Sequence, residues 1–281
     1  MPTVRSRTLG LLAAALCAFA ANSLLCRAAL GRGAIDAVSF TTARILAGAV
    51  SLRLLLVVTG GGWQRLPFRL HPGGLALFAY ALLFSLAYLR LPAGVGALAL
   101  FGAVQATMIG VGIARGERPA GRTAFGLGLC LAGLVGLLLP GLRAPDPLGL
   151  VLMLGAGVAW GAYSLLGRGA PDPIRANAFA FEFAFVPALL AMIVASGRHV
   201  TTTGMNLAVL SGAITSGLGY AIWYAALRGL TATQAAAAQL AVPPLAALGA
   251  VLFLGEALSP RLGVCGVAIL GGIAVTLLER R

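Results

Sequence analysis

Two charged residues fall well inside apolar stretches: Arg44 in VSFTTARILAG and Glu182 in AFAFEFAFVP. A carboxyl set in hydrocarbon can take up and release a proton, so Glu182 is the candidate carrier for any coupled proton. A guanidinium stays charged, and Arg44 must find a partner, line water or snorkel to its nearer interface; snorkelling is easy for so long a side chain. Counted from opposite ends of their stretches, the two sit about 10 Å and about 9 Å deep at 1.5 Å per residue. A hydrocarbon core about 30 Å thick leaves roughly 10 Å between them along its normal, which argues against a direct salt bridge.

Neutral polar and aromatic residues make a second group. Asn22, Ser23, Tyr80, Ser85 and Gln105 lie inside apolar stretches of the first half; Tyr163, Ser164, Tyr220, Tyr224, Gln234 and Gln239 do so in the second. Each Ser, Asn or Gln has a structural alternative, a helix–helix hydrogen bond worth about 0.6 kcal/mol. The aromatics cluster at helical spacing: Tyr80, Phe84 and Tyr88 on one face, Tyr220, Trp223 and Tyr224 on another, Trp160 beside Tyr163 on a third. Tyr88 and Tyr224 near helix ends read as an aromatic belt at the lipid interface. Tyr80, Trp160 and Tyr220 are deeper and read as the wall of a cavity. The residues expected to contact a small molecule are Asn22, Tyr80, Gln105, Trp160, Tyr163, Tyr220, Trp223 and Gln239. Such a wall suits zwitterions or apolar metabolites and suits phosphorylated sugars poorly, because those need convergent cations. Pro243-Pro244 should kink its helix, as a hinge or as a static bend, and joins Arg44 and Glu182 as a coupling or gating candidate.

The elements that must position these groups follow from composition. The 281 residues are 60% hydrophobic and 10% charged, against about 25% charged in soluble domains. Apolar runs near 8–30, 37–59, 73–90, 93–114, 122–139, 147–166, 176–195, 204–226, 232–254 and 262–278 give ten candidate spans. The expected class is an all-α polytopic membrane protein. The N-terminal run resembles a secretory signal, but it continues to about Leu30 and reads as a first span. Although the net charge is +13, the arginines are scattered singly and in pairs, so nucleic acid is not an expected partner. The four cysteines lie in apolar runs and the two histidines sit singly in loops, a pattern without metal or redox spacing. Neither metal nor cofactor is expected.

Arginine placement sets the orientation. With the N-terminus cytoplasmic, the inner segments hold Arg5, Arg7, Arg53, Arg65, Arg69, Arg115, Arg118, Arg122, Arg168, Arg175, Arg228, Arg280 and Arg281. The outer segments hold Arg27, Arg32, Arg90, Arg143, Arg198 and Arg261, which is 13 against 6. The positive-inside rule then puts both termini in the cytoplasm.

The sequence also repeats. Ser23-Leu24-Leu25-Cys26-Arg27 returns as Ser164-Leu165-Leu166-Gly167-Arg168 at an offset of 141; Gly116-Glu117, Arg122 and Gly133 return as Gly255-Glu256, Arg261 and Gly272 at 139. Two five-helix copies, 1–142 and 143–281, are expected, and an odd helix count inverts the second in the membrane. Inverted repeats of this kind place a substrate site near the midplane between them.

With its two five-helix copies, Arg44 in the second span, Trp160-Gly161 in the sixth, and Gly-Glu-x5-Arg before the last helix of each copy, the chain resembles the EamA group of the drug/metabolite transporter superfamily. The resemblance covers nearly the whole chain and implies a secondary transporter of the bacterial inner membrane. It implies export of small organic metabolites, amino acids first, including aromatic or apolar ones; drugs or other metabolites are the alternative. The implied partners are a small-molecule substrate and the lipid bilayer, with a homodimer left open. The copies differ where Phe19-Ala20 faces Trp160-Gly161 and Val104-Gln105 faces Val242-Pro243-Pro244, so a symmetric substrate site is not expected. A membrane-embedded enzyme would need paired carboxylates, a Ser/His pair or metal ligands inside the spans, and a passive channel a charged constriction or ring. Neither pattern is visible.

Overall fold

The computed structural model describes residues 6–60, 71–91, 93–116, 121–138 and 146–254, with seven further residues between 264 and 275. The described residues are helical apart from short connections and one isolated bridge, Ile35 to Val200. In chain order the helices are α1 (Ser6–Leu30), α2 (Ala37–Val58), α3 (Pro72–Tyr88), α4 (Ala93–Ala114) and α5 (Gly121–Leu138). Then follow α6 (Pro147–Gly167), α7 (Pro173–Val194), α8 (Thr202–Leu227), α9 (Ala232–Gln239) and α10 (Val242–Leu254). Five of them, α1, α2, α6, α7 and α8, are both long and apolar enough to cross a membrane, and shorter apolar helices accompany them. Of the span expected near 262–278 only those seven residues, all helical, are described; Glu117, Glu256 and Arg261 lie outside the described residues.

Local chemistry starts these helices. Pro72, Pro147 and Pro173 each occupy a first-turn position, where a missing amide hydrogen costs nothing. The preceding His71, Asp146 and Asp172 accept from the amides of Gly74, Gly149 and Arg175. Asp36 caps α2 through the amides of Val38 and Ser39, and also accepts from His199 N–H at 3.1 Å. Burial pushes the Asp36 carboxyl up, but hydrogen bonds from Ser39, His199 and Val38 outweigh it and leave it below the ordinary value. Together with the bond from Thr201 N–H to Ala34 O, these contacts tie the α1–α2 and α7–α8 connections together.

Two helices depart from the expected single rods. Within α8, Ser211–Leu218 is π-helical, a wider winding that often marks a functional segment. It packs on α2 so closely that a Cβ on Gly212 would lie 2.1 Å from Arg44 O. The stretch expected as one helix near 232–254 instead ends at Gln239 and restarts at Val242. Leu240 and Ala241 close the break with tighter i→i−3 bonds to Ala237 and Ala238. Pro243 and Pro244 therefore sit at the start of α10 and not inside a kinked helix. Having no N–H, they cannot serve the carbonyls of Gln239 and Leu240, which is why the helix gives way there.

Candidate functional site

Six helices meet around a narrow cavity. Its walls are Phe19, Asn22 and Ser23 of α1, Tyr80 and Phe84 of α3, Leu100 and Phe101 of α4, Trp160 of α6, Tyr220 of α8 and Val242 of α10. About 20 Å3 is open to the centre of a water molecule, room for one or two waters. The rings interlock: Trp160 lies 5.1 Å from Phe19 at 89°, 4.7 Å from Tyr220 and 4.9 Å from Tyr80. Edge-to-face contacts hold such rings by quadrupole attraction as well as by burial.

Of the eight residues expected at a small molecule, Asn22, Tyr80, Trp160 and Tyr220 line this cavity, Tyr163, Trp223 and Gln239 back its wall, and Gln105 is not part of the lining. Gln239 accepts from the Trp160 indole N–H at 2.5 Å, fixing that ring's rotation. Tyr163 packs 5.6 Å from Trp160 and donates its hydroxyl to Asn177 Oδ1. Trp223 packs 5.5 Å from Phe19 and donates to Ser164 Oγ at 3.1 Å. Gln105 donates to Ala236 O at 2.6 Å, while its own Oε1 is buried without a partner.

Arg44 does not snorkel. Only 1% of it is exposed. Its Nε donates to Ser216 Oγ at 2.9 Å, and its Nη2 donates to the Tyr220 hydroxyl and, at 3.4 Å, to that of Tyr80. The guanidinium lies 5.3 Å from the Tyr80 ring and 5.8 Å from the Phe84 ring, where cation–π attraction offsets part of its lost hydration. Its Nη1 has no hydrogen-bond partner. Two cavity residues thus rest their hydroxyls on a buried cation.

Glu182 is not a lone carboxylate. Arg53 of α2 meets both of its oxygens, with Nη2 to Oε2 at 2.6 Å and Nε on Oε1, and also lies over the Phe179 ring. The expectation that no direct Arg44–Glu182 bridge forms fits this arrangement, since each has other partners. The belt assignment is corrected: Tyr224 is buried, donates to Tyr163 O at 2.9 Å, and packs its ring where Gly167 leaves no Cβ in the way. Tyr88 is half-buried, edge-on to Phe84 at 4.6 Å.

Sequence reasoning missed several polar residues that the structure gathers here. Asn22 Oδ1 accepts from Ser211 at 2.6 Å and from Thr215 at 3.2 Å, Ser216 holds Arg44, and Asn177 receives Tyr163. The available signal was Ser211, Thr215 and Ser216 crowding one apolar span beside Gly212 and Gly217. Phe19, Leu100, Phe101 and Val242 carried no such signal, since apolar residues on a cavity wall look like any others.

Residues 147–278 match the model of the EamA-like transporter family. An uncharacterized protein of Pseudomonas aeruginosa is 51% identical over 282 residues, covering 98% of this chain and 96% of its own. A crystal structure of a protein 21% identical in sequence superposes with a TM-score of 0.81, over 99% of this chain and 100% of that one. At that identity the likeness speaks to the fold alone.

Proposed function

Residues 147–278 form an EamA-like transporter family domain, and from that premise we propose that the chain is a secondary transporter of small organic metabolites, amino acids first among them, including those with aromatic or apolar side chains. The observation that carries this reading is the ring-walled cavity, in which Tyr80, Trp160 and Tyr220 converge with Asn22 and Ser23. Flat aromatic walls bind a planar or apolar body, and a few fixed polar groups orient it. With room for only one or two waters, the cavity must widen before a metabolite fits, which suits alternating access better than an open pore. The break at Leu240–Ala241 and the π segment of α8 adjoin the cavity and are the places where the walls can give.

The reading includes two inverted five-helix copies, 1–142 and 143–281, in a bacterial inner membrane, with both termini cytoplasmic and export as the direction. Cysteines placed at Arg143 and Arg198 are then labelled from outside, those at Arg118 and Arg175 only from inside. The function itself is tested by counterflow in liposomes: saturable, trans-stimulated uptake of an aromatic amino acid is expected. Non-saturable flux would favour a channel, and chemical conversion of the solute an enzyme.

A further inference from the structure

Arg44, outside the cavity lining but bonded to two of its wall residues, Tyr80 and Tyr220, has an unusual electrostatic balance. Four carboxylates occur among the described residues, and each is engaged away from Arg44. Asp36 caps α2 and holds His199 N–H; Asp146 caps α6 and lies 3.6 Å from Arg90; Asp172 caps α7 and lies 3.4 Å from Arg175; Glu182 holds Arg53. Arg44 is left buried with hydroxyls and ring faces for neighbours and with Nη1 unpartnered. A cation in that position is expensive to keep, and apolar packing would serve stability better.

We propose that Arg44 is the anchor for the carboxylate of the transported molecule, so that the site selects monocarboxylates with an aromatic or apolar body. This rests on the transport reading above and names its substrate class. The geometry supports it on three counts. The Nη2 bonds reach Tyr80 and Tyr220, both of which line the cavity, so the Nη end of the guanidinium is the one nearest a ligand. Nη1 and Nη2 together offer the planar fork that meets a carboxylate bidentately. The two phenol oxygens accept from Arg44 and share a hydrogen bond with each other, which leaves one O–H of the pair to turn to a carboxylate oxygen. Among the described residues no carboxylate lines the cavity to select for an ammonium group. A carboxylate without an α-amino group should therefore bind about as well as the amino acid.

The test is binding to the purified detergent-solubilised protein, by calorimetry and ligand-induced thermal shift, with L-phenylalanine, 3-phenylpropionate, L-phenylalaninamide and phenethylamine. The two carboxylates are expected to bind with similar affinity, and the amide and the amine at least tenfold more weakly. Arg44→Gln should abolish the difference, Arg44→Lys should keep it in weakened form, and the Tyr80→Phe, Tyr220→Phe double variant should lose a few-fold for carboxylates only. Equal binding of phenethylamine and 3-phenylpropionate to wild type would overturn the inference. So would a carboxylate preference that survives Arg44→Gln, or no carboxylate-dependent binding at all. Counterflow separates the two readings: saturable transport without carboxylate preference sinks only the anchor, and carboxylate-selective binding without transport sinks only the transporter.

Discussion

Arg44 and Arg53 stand nine residues apart on α2, and the fold treats them in opposite ways. Arg53 meets Glu182 of α7 through two nitrogens, and the pair keeps some contact with the surroundings, its side chains 11% and 16% exposed. Its charge is matched within the protein and the pair reads as a tie between two helices. Arg44 is wrapped by Ser216, Tyr80, Tyr220 and the Phe84 face, all neutral groups. Insertion scales put an arginine at a helix centre about 2.5–3.5 kcal/mol uphill, and four soft contacts offset only part of that. The difference teaches that polarity inside the bundle serves two ends: Arg53 fastens helices, while Arg44 holds the hydroxyls of a cavity wall beside an unmatched charge.

The sharpest way to break this comparison is to remove the wall that Arg44 supports. Trp160→Ala or Tyr220→Ala should cut liposome uptake at least tenfold, about 1.4 kcal/mol, because each of the two rings touches four others. Unchanged uptake in both variants, at matched reconstitution, would move the site elsewhere. On the other side of the comparison, Glu182→Gln should lose any acceleration by an imposed pH gradient if Glu182 carries a coupled proton. Wild-type and variant responding equally would leave Glu182 as a tie only. Stability then separates the two arginines. Arg53→Met strands Glu182 and should cost about 1–3 kcal/mol, less than a fully buried pair because the site is partly exposed. Arg44→Met strands no carboxylate and should stay within about 1 kcal/mol. Equal falls in melting temperature would erase the distinction. A comparably small effect is expected at the α1–α2 connection, where Asp36→Ala removes a helix cap worth about 1 kcal/mol. Asp36 has its folded-state pKa lowered, so its contribution is present above the ordinary carboxylate range and fades as pH falls through the folded value. The gap in melting temperature between wild type and Asp36→Ala should therefore close below about pH 4.

Most helix limits were legible because hydropathy acts over some twenty residues at a time: the stretches expected near 37–59, 93–114 and 147–166 are found at Ala37–Val58, Ala93–Ala114 and Pro147–Gly167. The cavity was partly legible, since Tyr80, Trp160 and Tyr220 announce themselves by ring size and spacing. Tyr224 misled, because depth was inferred from distance to a helix end, whereas Gly167 on a neighbouring helix makes room to bury that ring.

By itself the sequence determined that the chain is a helical membrane protein, roughly where its helices begin, and which residues are too polar to ignore. Those are properties of single segments, decided by transfer from water and by capping groups within a few residues. Partnership was decided only by the tertiary structure. Arg53 finds Glu182, Arg44 finds Ser216 and Tyr220, and Asn22 finds Ser211 and Thr215, in each case more than a hundred residues along the chain. The reason is physical: hydropathy assigns every apolar face the same bilayer, so nothing local tells one helix which other helix will satisfy its buried donors. The π winding of α8 carries Ser211, Thr215 and Ser216 to Asn22 and Arg44, whereas the break before Pro243 follows from the prolines themselves.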